Sequence, residues 1–171
     1  MDYKEILVHQ LDEYRRELDR ALAGLTPEER RVMPTNESHH IDFALWHATR
    51  AEDLLVHVGV LGEEQVWAKQ KWNDKFGIPA EDVGFGYSIN QVKDMPLISL
   101  SDLVAYHDAV RTGTVQLIKT STEDLLDEVC PSERLKRFGT KGGVLAHLVV
   151  EITEHLGQIA YIRGMIRGAN S

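Results

Sequence analysis

The sequence predicts an all-α protein, a four-helix bundle with a long crossover between its second and third helices. Three observations predict it. Apolar side chains recur at helical spacing through four long stretches, as in Ile6, Leu7, Leu11, Tyr14, Leu18 and Leu22 of the first. Capping residues precede helical stretches at Thr26-Pro27, Ser99 and Thr140, and glycines follow them at Gly24, Gly62 and Gly168. Between the second and third stretches, Gly77, Pro79, Gly84, Gly86 and Pro96 interrupt any period, leaving a connection long enough for two helices to run in the same direction. The expected order is therefore up-down-down-up.

The first helix covers residues 2–22 and stops at Gly24. Thr26 as N-cap, Pro27 at the first helical position and acidic Glu28 and Glu29 then start a short turn that ends near Pro34. The second long helix covers 41–61 and breaks at Gly62; helix resumes over 63–71, where Trp67 and Trp72 either pack or line a mouth. Residues 76–100 are the crossover, with one helical turn inside it and Phe85 and Tyr87 between its glycines. The third helix covers 102–120, with Leu103, Val104, Tyr106, Val110, Val115 and Leu117 as apolar positions. Gly113 weakens it by roughly 1 kcal/mol relative to alanine. A connector follows over 121–139, a short helix at 122–126 and then an extended piece, before Thr140 caps the fourth helix, 141–167.

The 171 residues suffice for one well-cored domain spanning 1–171 and fall short of two. Hydrophobic residues at 43% and charged residues at 27% fit a soluble globular protein. A net charge of −8 argues against nucleic-acid partners, which require a basic surface, and against anionic membranes. No apolar run reaches the roughly 20 residues of a membrane span, and the N-terminus has no apolar core of signal-peptide length, so a cytoplasmic location is expected. The lone Cys130 excludes an internal disulfide, fits a reducing compartment and, between Val129 and Pro131, carries no sign of thiolate activation.

The chemistry is concentrated in the fourth helix, where His147, Glu151 and His155 follow one another at four-residue intervals ahead of Gly157-Gln158. Residues four apart on a helix rotate by roughly 40° and climb roughly 6 Å, so the three share a face, beside apolar Val144, Leu148, Ile152 and Ile159. Imidazole and carboxylate groups on such a face are costly to bury unpaired, and a divalent metal partners both. His47, in the second helix, has a similar half-apolar setting and brings a further donor from a second helix.

Together, a histidine after Trp46 in the second helix, a long crossover and a last helix carrying His155-Leu156-Gly157-Gln158 resemble the DinB-like (YfiT-like) superfamily of metal-binding four-helix proteins along essentially the whole chain. Many members place three histidines on the metal. Here Glu151 stands at the middle ligand position, similar to the branch of mycothiol-dependent maleylpyruvate isomerase, in which a His, Glu, His set holds zinc. The resemblance implies His47, Glu151 and His155 as ligands of a divalent metal, zinc first and nickel or iron as alternatives, with a low-molecular-weight thiol as cosubstrate.

Three protein ligands leave an open coordination position, the mark of a catalytic ion. The expected function is a metal-dependent thiol S-transferase or isomerase acting on a small molecule. A metal-dependent hydrolase, with Glu154 or His147 as proton acceptor, is one alternative. A non-catalytic metal-stabilised binding or stress-response module, dimerising through bundle faces, is another. Glu151 is either a ligand, an unbound base or an ion-pair partner of Arg50. His147 is a fourth ligand, a support for a ligand or a core residue, with the last two favoured. Gln158 steadies the helix end or touches substrate, and Glu154 belongs to a solvated face. His39, His40, His57 and His107 are surface or packing residues. The aromatics from Trp67 to Tyr87 either wall a pocket near the metal or pack under the crossover.

Overall fold

Four long helices frame the protein in a computed structural model that describes residues 2–168. They are α1 (Tyr3–Leu22), α3 (Ile41–Asp53, continued by a π-helix, Leu54–Leu61), α7 (Leu100–Thr120) and α8 (Lys141–Arg167). Each packs against two of the others, α1 and α3 lying against both α7 and α8, which closes an up-down-down-up ring around one core. Short helices α2 (Pro27–Arg30), α4 (Val66–Lys69), α5 (Trp72–Phe76) and α6 (Ile89–Lys93) lie in the connections.

Local chemistry sets the helix starts. Asp2 with Glu5, Thr26 with Glu29 and Ser88 with Gln91 form reciprocal capping boxes, while Ser99 and Thr140 accept from the N–H groups of Asp102 and Gly143. Helix α3 has an unusual cap: His40 Nδ1 accepts from Phe43 N at 3.0 Å, while Nε2 faces Val92 O at 3.2 Å. A ring nitrogen that accepts carries no proton, so this cap requires neutral imidazole. Burial, then the charge of Arg31, depress the His40 pKa to about 4 despite the Val92 contact.

Two consecutive acids of α3 are fully buried and fully engaged. Glu52 takes a bidentate pair from Arg111 of α7 at 2.8 and 2.7 Å and the Thr114 hydroxyl at 2.7 Å. Asp53 accepts from the Val66 and Trp67 N–H groups at 2.9 and 2.8 Å, from the Tyr106 hydroxyl at 2.8 Å and from Arg50 at 3.4 Å. Asp53 thereby caps α4 from a distance and fastens the crossover to α3. Trp46, Trp67, Phe76 and Tyr106 pack ring against ring beside it. These aromatics, Trp72 among them, are core under the crossover and no wall of the cavity described below.

Three expectations change. The second helix does not run regularly to Leu61 but widens to π winding after Asp53. Its Leu-Leu-Val-His-Val-Gly-Val-Leu sequence is apolar nearly all round, so periodicity carries no information about winding there. Helix over 63–71 is instead two short pieces, α4 and α5, separated by Lys71 in a left-handed conformation at φ 59°. The extended half of the connector is a 3-10 helix (Glu133–Phe138), flanked by a single antiparallel bridge between Val129 and Thr140. Gly113, a flaw in α7 by propensity, has a packing reason: a Cβ there would lie 3.0 Å from His57 Nε2.

Asp53→Ala is expected to cost about 3–5 kcal/mol in chemical denaturation, because it leaves buried donors on three elements unpaired. His40 gives the stability a pH dependence. It is neutral in the fold but titrates near its ordinary 6.5 when unfolded, so the unfolded chain binds more protons between that value and about 4. Stability falls as pH drops through this window, by up to about 3 kcal/mol from this residue. His40→Asn, which keeps a capping oxygen, should flatten that part of the profile when denaturation midpoints are compared at pH 7 and pH 5.

Candidate metal centre

The α3–α8 seam brings together the residues that helical spacing had grouped. Around α3, every residue is buried except His47, which reaches a half-buried position on the α8 side. On α8, Val144, Leu148, Ile152 and Ile159 are buried, and His147, Glu151 and His155 form a half-buried strip beside them. Glu151 Oε1 lies 3.3 Å from His155 Nε2 and 4.0 Å from His47 Nε2. Its other oxygen lies 3.3 Å from His147 Nε2. Donor atoms of His47, Glu151 and His155 all fall within 4.8 Å of one another.

Both imidazoles of this triad are held from behind by oxygen. His47 Nδ1 meets Val83 O at 2.5 Å, and His155 Nδ1 meets Gln158 Oε1 at 2.8 Å. A carbonyl oxygen only accepts, so each Nδ1 carries the proton, and each Nε2 is the nitrogen left to face Glu151 or a cation. Tetrahedral zinc with bonds of 2.0–2.1 Å places neighbouring ligand atoms roughly 3.3 Å apart; the Glu151–His155 pair lies at that spacing, and the Glu151–His47 pair, at 4.0 Å, would draw in by less than an ångström. The donor chemistry and the geometry therefore fit a divalent cation.

The electrostatics make the same demand. Burial lowers the His47 pKa, with the charge of His155 adding to it and Val83 and Glu151 opposing, so the ring is held neutral. Burial also works against charging His155, but its bonds to Glu151 and Gln158 outweigh it and raise the pKa. The bond from His155 leads the lowering of the Glu151 pKa, against partial burial, with His47 and His147 contributing. A carboxylate that draws a proton onto one of its histidines is satisfied equally by a metal ion, with both rings neutral.

Beside the triad opens a cavity of about 240 Å³. His47, His147 and Glu151 form its polar end, Leu54, Leu55 and Leu135 its apolar floor, and Phe85, Arg134 and Arg137 also line it. His147 belongs to this cavity, stacked on Phe138 at 4.5 Å, so it supports Glu151 and faces the open space. Glu154 is exposed, as expected, while Gln158 has the specific task of orienting His155. The Glu151–Arg50 ion pair does not form: Arg50 is fully buried and spends its donors on Asp53, Tyr106, Gln65, Ala80 O and Asp82 O. Of the remaining histidines, His40, His57 and His107 are packing residues, but His39 lines a surface cleft with Gln158, and burial first and then the charge of His155 lower its pKa, so it belongs to the surroundings of the site. Sequence spacing could not connect His39 to residues more than a hundred positions away.

Val83, the acceptor for His47, was likewise invisible as a backbone group, although the glycine after it is a signal. Gly84 has φ +79°, and a Cβ there would stand 2.7 Å from the Trp46 ring and 2.9 Å from His47 Nδ1. Only glycine lets the crossover descend this far onto α3. Gly84→Ala is expected to lift the loop, cost about 2–4 kcal/mol in denaturation and abolish the slowly exchanging His47 Nδ1–H resonance that NMR of the wild-type protein should show.

The sequence pattern of the mycothiol S-transferase family matches residues 6–168. Among solved structures, a conserved protein from Enterococcus faecalis superimposes with a TM-score of 0.86 at 21% identity, over 98% of this chain and 99% of that one. No curated protein matches the sequence. The structural likeness carries the fold, and the nearly full-length family match carries more: this chain belongs to the mycothiol S-transferase family, of DinB-like helical proteins.

Proposed function

We propose that the protein is a divalent-metal-dependent thiol S-transferase, in which His47, Glu151 and His155 hold the ion and mycothiol or a similar low-molecular-weight thiol enters the adjoining cavity. The observation that carries this reading is the pairing of two imidazoles, each locked by oxygen at Nδ1, on one carboxylate at the wall of a cavity. Zinc is the ion we favour for a site of two nitrogens and one carboxylate, with nickel or iron as alternatives.

A divalent cation held there stabilises thiolate over thiol and so supplies the nucleophile near neutral pH. The protein's own groups do the rest. Val83 O and Gln158 fix the planes of His47 and His155. Glu151 sets the local charge, leaving a single net positive charge to meet an incoming thiolate. His147, at the cavity wall, accepts the proton released from the thiol. The sulfur then forms its bond to an electrophilic carbon, and the electron pair displaced there departs with a leaving group or moves to the neighbouring atom of a multiple bond, which takes the proton back from His147. Leu54, Leu55 and Leu135 keep the floor of the cavity apolar, which favours an electrophile with a hydrocarbon body. A buried lone cysteine and a small thiol cosubstrate together support action in the cytoplasm.

Elemental mass spectrometry of folded wild-type protein should find stoichiometric metal, lost on chelation and in His47→Ala, Glu151→Ala and His155→Ala. After exchange for Co(II), adding 2-mercaptoethanol should produce a thiolate-to-cobalt absorption band. A bound ion whose spectrum ignores every thiol would overturn the transferase reading.

A further inference from the structure

The cavity beside Glu151 has a charge pattern that the rest of the chain lacks. Every other arginine donates to a protein oxygen, whether a carboxylate or a main-chain carbonyl. Arg134 and Arg137, the two that line the cavity, have no carboxylate partner among the described residues. A carboxylate is at hand, yet Glu133 pairs with Lys136 at 2.9 Å instead. In a chain of net charge −8, two unengaged guanidinium groups at one cavity form a local positive island. Glu151 is the one carboxylate among the described residues lining it.

Their placement is built. Residues three apart in a 3-10 helix eclipse one another, so Arg134 and Arg137 leave the Glu133–Phe138 segment on the same side. Leu135 between them is buried and anchors the segment. The Arg137 guanidinium lies 4.7 Å over the Phe138 ring, whose neighbour is His147, which in turn touches Glu151. Stacking of this kind orients the planar fork while leaving its N–H edges free.

We infer that Arg134 and Arg137 bind a carboxylate carried by the ligand whose reacting end lies at Glu151, and that they select anionic over neutral ligands. The choice of carboxylate follows from the planar, bidentate match to guanidinium. A cavity of about 240 Å³ limits the part of the ligand enclosed to a small acid. The inference rests on the thiol-transfer reading only for which reactant carries the acid, the thiol or the electrophile.

The test uses full-length Co(II)-loaded protein and the Arg134→Ala/Arg137→Ala double variant, both exposed positions whose truncation should leave the melting temperature unchanged. Mercaptosuccinate and 2-mercaptoethanol are titrated by the thiolate-to-cobalt band, and succinate by calorimetry with 2-mercaptoethanol already bound. Wild-type protein should bind mercaptosuccinate at least tenfold more tightly than 2-mercaptoethanol, and the double variant should lose that preference while keeping its affinity for the neutral thiol. That result supports the inference with the acid on the thiol. Succinate binding beside 2-mercaptoethanol, lost in the double variant, supports it with the acid on the electrophile. Equal behaviour of wild type and variant toward both acids, with the cobalt band still formed, overturns the inference and leaves the transferase reading standing. If no thiol produces the band, the transferase reading fails instead, and arginine-dependent succinate binding to the cobalt protein alone decides the inference.

Discussion

The cost of removing the Asp53 carboxylate from water organises much of this molecule. A buried anion is tolerated only when its lone pairs are filled by donors, and here the donors come from separate parts of the chain. Two are the first N–H groups of a short helix in the crossover, one is a tyrosine of α7 and one is the guanidinium of Arg50. Satisfying a single charge therefore ties the long connection to α3 one turn and a half beyond His47. Arg50 extends the tie by donating to the carbonyls of Ala80 and Asp82, immediately before the loop that reaches Val83.

Through that tie the core acts on the site. His47 lies on a helix whose every other residue is buried, so its backbone has no freedom to adjust; the crossover then fixes its ring through one carbonyl. His155 is fixed differently, by a glutamine one turn along its own helix. One candidate ligand ring is thus positioned by tertiary structure and the other by local sequence. Between them Glu151 collects three imidazoles on its two oxygens, which concentrates donor atoms without any lysine or arginine to compete for the carboxylate.

Much of the site was legible because helical geometry is regular. His147, Glu151 and His155 had to share a face, and a polar strip against Val144, Leu148 and Ile152 had to find a partner. His47 required the seam between two helices, which a pattern of apolar residues and the family resemblance both indicated. What escaped detection has physical reasons. The Val83 carbonyl is a main-chain atom present at every residue. The π winding of Leu54–Leu61 lies in a segment with too little polarity to display a period. Arg134 and Arg137 sit in a connector that reads as extended, where the eclipsed spacing of a 3-10 helix has no meaning until the helix is known. His39 and Gln158 meet only because the chain closes its ring.

The lone cysteine takes on a different significance beside a cavity proposed to receive thiols and electrophiles. Cys130 is 6% exposed, its sulfur directed at the Gly59 carbonyl at 3.3 Å, and it does not line the cavity. An electrophile admitted to this protein encounters no endogenous sulfur to alkylate, and a thiol encounters no partner for a mixed disulfide. On the transferase reading, the cavity thus offers its reactants no competing thiol of the protein's own.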